Sequence, residues 1–154
     1  MNVQEYLREH QATFHVIDHP AAYSAQRVAE AVHVSGDWVA KSVVLKAAHG
    51  FCYYLIVVPA SARVDLDKLR QAMGVVDIEL ATEDEIAALC RDCEVGALPP
   101  FGSQHGMETI VDESLTWAEE IVFEGNSHEQ AIRMKYRDFY ELEHPLVLGV
   151  ATHA

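Results

Sequence analysis

The segment from Glu94 to Met107, EVGALPPFGSQHGM, gathers Gly96, Pro99, Pro100 and Gly102 within one short stretch. Proline fixes φ and has no backbone donor, so this stretch fits neither a helix interior nor a central strand and reads as a shaped loop. Glycine lets a backbone approach a ligand closely and proline holds a turn at low entropic cost, so the amides between them could face a carbonyl or phosphate oxygen. A second feature lies upstream. In the run Trp38 to Lys46, period-two alternation places Lys41 with Val39, Val43 and Leu45, and Ala40, Ser42, Val44 and Lys46 on the other face. An ammonium on an apolar face must snorkel to water or meet an anion, and its pKa falls if it does neither. Together these features suit the binding of an anion or the stabilisation of an oxyanion. The plainer readings are a rigid connection and a lysine whose stem packs while its head reaches water. Lys46, beside a turn, reads as solvated.

Other chemistry finds little support. There is no G-x-S-x-G, P-loop, H-E-x-x-H or dinucleotide fingerprint. His15 and His19 are four apart, but in a strand that spacing separates them too far for a metal pair. Cys90-Arg91-Asp92-Cys93 is a lone C-x-x-C at the end of a predicted helix, without the second ligand pair a zinc site needs, and reads as structural. His128, in the polar loop Gly125-Asn126-Ser127-His128, is the one histidine kept as a candidate, although such a loop is expected to be solvated. No metal or cofactor is implied.

The elements that must position these residues follow from caps and periodicity. Asn2 can cap a helix bearing Val3, Tyr6 and Leu7, and Ser24 one running through Val32. Asp65 can cap a helix to Met73 that Gly74 ends, and Thr82 with Glu85 has capping-box spacing for a long helix leading to the loop. Strands are predicted over Phe14 to Asp18, Trp38 to Lys46, Phe51 to Val58, Val75 to Ala81, Thr109 to Asp112, Glu120 to Phe123 and Ala131 to Tyr136. The second and third form a hairpin through Ala47-Ala48-His49-Gly50. A short helix over Arg137 to Glu143 closes the pattern. This order suits an α+β fold with a mixed sheet.

The 154 residues, half of them apolar, are enough for one core and one domain, 1–154. No run approaches the roughly 20 apolar residues of a membrane span. The amphipathic N-terminus is unlike a secretory signal, so a cytoplasmic protein without a membrane partner is expected. Three cysteines without a secretion signal should be reduced. A net charge of −13 speaks against wrapping duplex DNA, whose binding needs lysine and arginine, but leaves room for capturing a strand tip with one or two cations and backbone amides.

In order and spacing, VAKSVVLK with Lys41, the strand ending in Pro59, the helix DLDKLRQAMG and the loop GALPPFG resemble the YbaK/prolyl-tRNA synthetase-associated editing domain family over roughly residues 15 to 140. The resemblance implies a compact domain on a curved mixed sheet flanked by helices. It also implies hydrolysis of a mischarged tRNA such as Ala- or Cys-tRNA(Pro). Lys41 matches the family's functional lysine, and Gly96-Ala97-Leu98-Pro99-Pro100 its G-x-x-x-P loop. Phe101 and Gly102 continue the loop, and the segment ending in His128 falls where members carry a further pocket loop. The implied partner is an aminoacyl-tRNA acceptor end, with a synthetase as a possible supplier of the tRNA.

On this reading the N–H groups of Gly96, Ala97 and Leu98 polarise the ester carbonyl, and Lys41 holds a phosphate or orients the aminoacyl group. Pro100, Phe101, Gly102 and His128 contact substrate. Lys41 and the loop should then open into one hollow. The alternatives are a non-catalytic module that binds an aminoacyl-adenosine-like ligand or a protein, and a metal-dependent hydrolase resting on the nine histidines alone.

Overall fold

The computed structural model describes residues 1–47 and 52–153. Four of its five helices begin at side-chain caps: α1 (Val3–Glu9) at Asn2, α2 (Ala25–Ala31) at Ser24, α3 (Leu66–Met73) at Asp65 and α4 (Glu83–Leu89) at a Thr82/Glu85 capping box. Helix α5 (Tyr136–Glu143) has no side-chain cap and grows straight out of a strand. None of the described helices is long and apolar enough to cross a membrane.

The strands form a mixed five-stranded sheet in the order β5 (Ile78–Leu80), β2 (Ala40–Ala47), β3 (Cys52–Pro59), β6 (Glu108–Asp112), β9 (Leu146–Leu148). The pairs β5/β2 and β2/β3 are antiparallel, whereas β3/β6 and β6/β9 are parallel. A second, antiparallel sheet has the order β1 (His15–Asp18), β8 (Gln130–Lys135), β7 (Glu120–Glu124), and β4 (Ala62–Val64) pairs with β10 (Ala151–His153). A parallel bridge between Val39 and Val122 ties the two larger sheets together. The architecture is the α+β, mixed-sheet one expected.

Alternation along β2 divides the core. Ala40 and Val44 face a cluster with Leu7, Leu55, Val57, Leu98, Phe101, Phe123 and Phe139. Val43 and Leu45 face another with Ile56, Val58, Leu69, Ile110 and Val150. A third cluster, of Ala22, Ala25, Val28, Val39, Val122 and Ala131, lies under α2.

Several boundaries differ from expectation. Strand β2 begins at Ala40 because Ser35 caps a 3-10 turn over Gly36–Trp38. Only Ile78–Leu80 of the run Val75 to Ala81 pairs, and Tyr136 opens α5 instead of ending β8. The three-residue strands β4, β9 and β10 were not anticipated. Ala47 belongs to β2 opposite Cys52, while the rest of the predicted turn, and Phe51, lie outside the described residues.

Two side-chain expectations are overturned. Lys46 is not merely solvated, because β5 and α4 bring Glu79 and Glu85 to it, at 3.4 and 3.0 Å. The Thr82 N–H, then Lys46 and Tyr53, donate to Glu85 and hold its carboxyl down at about 2. Nor are all the cysteines reduced, since Cys90 and Cys93 form a disulfide, leaving Cys52 free. The predicted long helix stops at Leu89, and Cys90 turns to extended backbone at φ −128°. The turn that follows sets the two Cα atoms 5.6 Å apart, within disulfide reach.

Candidate functional site

The loop after the disulfide is fastened to the Gly125–His128 turn. The Glu94 N–H donates to the Asn126 carbonyl at 2.8 Å, and the Glu94 carboxylate accepts from the His128 N–H at 2.9 Å. Asn126, left-handed at φ +71°, accepts from the Val3 N–H and donates to the Cys93 sulfur. Gly96 then takes φ +86°, a conformation that favours glycine, and an added Cβ would sit 3.5 Å from the His128 ring.

His128 is buried, with 7% of its surface exposed, which corrects the expectation of a solvated loop histidine. Its ring spans two backbone segments: Nε2 lies 2.6 Å from the Val95 carbonyl and Nδ1 3.1 Å from the Ala22 carbonyl. A neutral imidazole has one N–H and can serve one of these carbonyls, whereas the imidazolium serves both. The Glu124 carboxylate stands 3.5 Å from Nδ1. Burial pushes the Glu124 carboxyl up to about 7, against the pull of His128. Tyr23, 76% exposed, covers the outer side with its ring 5.0 Å from that of His128.

Two of the three expected amide donors remain available. The Ala97 N–H is taken by the Glu94 carbonyl at 3.0 Å, while those of Gly96 and Leu98 meet no acceptor among the described residues. The following residues root the loop instead of presenting it. Pro100 is buried, and Phe101, fully buried, meets the rings of Tyr6, Phe123 and Phe139. A Cβ at Gly102 would lie 2.6 Å from the Thr109 hydroxyl oxygen, which accepts the Gly102 N–H. Pro100, Phe101 and Gly102 thus shape the loop from within the core, and His128 positions it by holding Val95.

Lys41 lies elsewhere. It shares its face of β2 with Val43 and Leu45, whereas Leu98 and Phe101 pack on the face of Ala40 and Val44. Its Nζ donates to the Ala62 carbonyl at 2.8 Å in a cleft of about 500 Å³ lined by Ser24, Gln26, Ser61, Arg63 and Thr152. Burial lowers its pKa, and among the described residues it has no carboxylate partner. In place of one hollow there are two regions joined by Pro20–Gln26. This segment exchanges backbone contacts with His128 through Ala22 and lines the lysine cleft with Ser24, Ala25 and Gln26.

The sequence reading passed over Glu94, Glu124 and Asn126. Glu124 ends the apolar run Ile121-Val122-Phe123, whose burial on both faces carries the carboxylate inside. That uninterrupted run was the available signal.

The aminoacyl-tRNA editing domain model matches residues 19–142. The prolyl-tRNA editing protein ProX of Acetoanaerobium sticklandii is 22% identical over 140 residues, covering 88% of this chain and 85% of that protein. Among solved structures, the hypothetical protein APE2540 superposes with a TM-score of 0.87 at 19% identity, over 97% of this chain and 99% of its own. A protein described as a candidate trans-editing enzyme for prolyl-tRNA synthetase superposes at 0.83 and 25% identity, over 97% and 94%. With the family model spanning most of the sequence, and a fold of the same kind carrying a glycine-proline loop and a half-buried lysine, the chain belongs to the aminoacyl-tRNA editing domain family.

Proposed function

We propose that this protein is an aminoacyl-tRNA deacylase that hydrolyses the ester of a mischarged tRNA carrying a small amino acid, Ala- or Cys-tRNA(Pro) among the first to consider. Within an editing-family chain, the observation that carries this reading is the pair of unpartnered N–H groups, Gly96 and Leu98, on a loop fastened by Glu94 and His128.

An aminoacyl ester is already activated, so positioning and oxyanion stabilisation supply most of what its hydrolysis requires. The two amides polarise the ester carbonyl as water adds to its carbon. The ester C–O bond then breaks, leaving the free amino acid and a terminal ribose hydroxyl that takes up the proton. Lys41, on the opposite face of β2 but reached along Pro20–Gln26, holds a phosphate of the acceptor end. Selection between side chains by pocket size is modest, since one methylene is worth about 1–3 kcal/mol. A synthetase that delivers the tRNA would offset the acidic surface of a chain with net charge −13.

The non-catalytic alternative draws support from the same geometry, since the Lys41 ammonium already has the Ala62 carbonyl as partner. A panel of mischarged tRNA(Pro) and related tRNAs decides between them. Hydrolysis of at least one member is expected, and binding without turnover of any would favour the binding module.

A further inference from the structure

The chain's two tryptophans, Trp38 and Trp117, are 52% and 80% exposed, and both line one cleft of about 370 Å³ with Asp37, Pro59, Ser114 and His153. Single exposed aromatics are ordinary, but both of a chain's indoles facing one cleft are not explained by folding. Among the described residues neither indole is paired with another aromatic ring, and both keep half or more of their surface exposed. Both are also held in place. Trp38 ends a 3-10 turn whose Asp37 accepts a hydrogen bond from Ser61. Trp117 ends a 3-10 turn over Glu113–Trp117 capped by Asp112, and the buried Asp112 carboxylate also accepts from the Val150 and Ala151 amides. The backbone that carries both indoles is therefore anchored on either side of the slot.

It also adjoins the Lys41 cleft. The Asp37–Ser61 bond, the chain step from Pro59 to Ala60 and the step from Thr152 to His153 each have one member in either cleft. Lys41 and Arg63 line the neighbouring cleft, and the Lys68 ammonium reaches the Ala151 carbonyl beside it. Cations next to exposed aromatic rings make up the recognition chemistry of single-stranded nucleic acid, in which phosphates meet lysine or arginine and bases stack on rings.

We propose that Trp38 and Trp117 form a stacking slot for an unpaired base of the tRNA acceptor strand, the nucleotide whose 3′ phosphate meets Lys41 and Arg63. This rests on the deacylase reading and extends it. Stacking tolerates any base and needs no counterion release, so it gives a protein of net charge −13 a grip on RNA that a basic surface would otherwise provide.

Because both tryptophans lie in the slot, intrinsic fluorescence reports on it directly. Titration with uncharged tRNA, or with a short single-stranded RNA ending in CCA, is expected to quench it saturably. Affinity should fall by less than about tenfold between about 50 and about 200 mM salt, as for one or two phosphate contacts. By anisotropy of labelled RNA, Trp38→Ala and Trp117→Ala should each bind about tenfold or more weakly, with part of the affinity regained in Trp117→Phe. Hydrolysis of an aminoacyl ester of adenosine alone, which cannot reach the slot, should be unchanged in both variants. Unquenched fluorescence at saturating tRNA, or unaltered RNA affinity in both alanine variants, overturns the slot and leaves this face to a protein partner. If no mischarged tRNA is hydrolysed by the wild type, the deacylase reading fails separately, and the fluorescence and anisotropy arms still decide the slot.

Discussion

Replacing Gly96 with alanine tests whether the loop's backbone geometry matters to the chemistry. The added methyl would sit 3.5 Å from the His128 ring, an ordinary contact, so crowding costs little. The cost lies in the backbone, since a residue with a Cβ at φ +86° pays about 1–2 kcal/mol. That corresponds to a Tm lower by about 2–8 °C for a chain of this size. To escape, the backbone would rotate toward negative φ. The Val95 carbonyl would leave His128, and the Gly96 and Leu98 amides would be reoriented away from the positions the deacylase reading assigns them. Losing one such donor costs about 100- to 1000-fold in kcat. Gly74 supplies the control, because it ends α3 at φ +67° with no atom within 4 Å of its would-be Cβ. Gly96→Ala and Gly74→Ala should therefore melt at similarly reduced temperatures. In single-turnover deacylation of whichever mischarged tRNA the wild type hydrolyses fastest, only Gly96→Ala should slow, by about 100-fold or more. A wild-type rate in Gly96→Ala, or an equal loss in Gly74→Ala, would refute the assignment of these amides.

Lys41→Ala removes one ammonium–carbonyl bond, so it should cost no more than about 2 kcal/mol of stability while abolishing most deacylation; full turnover with the fold intact rules out a role for the lysine. The Glu124 carboxyl titrates at about 7 when folded against 4.5 ordinarily, so the unfolded chain releases this proton first and stability falls as pH rises between those values, by at most about 3 kcal/mol. Glu124→Gln should flatten that decline and melt above the wild type at pH 8, and an unchanged slope in the variant would show that another group is responsible. Opening the Cys90–Cys93 disulfide releases only a short loop, which the chain-entropy model values at about 2 kcal/mol. Reductant should thus lower Tm by about 4–8 °C, and a melt indifferent to reductant would mean the pair is not joined in solution.

The parts of the fold readable in advance were those fixed by neighbours in the chain. The caps Asn2, Ser24, Asp65 and Thr82 each satisfy amides two or three residues on, so their positions needed no knowledge of the sheet. The alternation that set Lys41 beside Val43 and Leu45 was equally local, and held. What escaped depends on distant partners. Strand β9 is strand only because β6 lies alongside it, and β10 only because β4 does, and neither three-residue segment carries a pattern of its own. Lys46 looked solvated because Glu79 and Glu85 arrive from elements more than thirty residues away.

The site divides along the same line. The glycine-proline composition announced a shaped loop, and Gly96 does occupy a left-handed conformation, but composition could not say which amides would be consumed. Glu94 is three residues before Ala97 and takes its amide in a local turn, leaving donors on either side. Polar residues in a turn are expected to be wet, yet Asn126 and His128 are buried because Val3, Ala22, Glu94 and Val95 supply the partners that water would otherwise provide. Buried polar groups whose bonds are made within the protein are costly to move. The physical consequence is that the Gly125–His128 turn acts as a template on which the loop is set: Asn126 fixes its entry through Glu94, and His128 fixes Val95 immediately before the glycine. A loop held at two successive points ahead of Gly96 fixes the backbone that carries the unpartnered amides of Gly96 and Leu98 before any substrate arrives, and on the proposed deacylase reading such fixed donors are what oxyanion stabilisation without reorganisation requires.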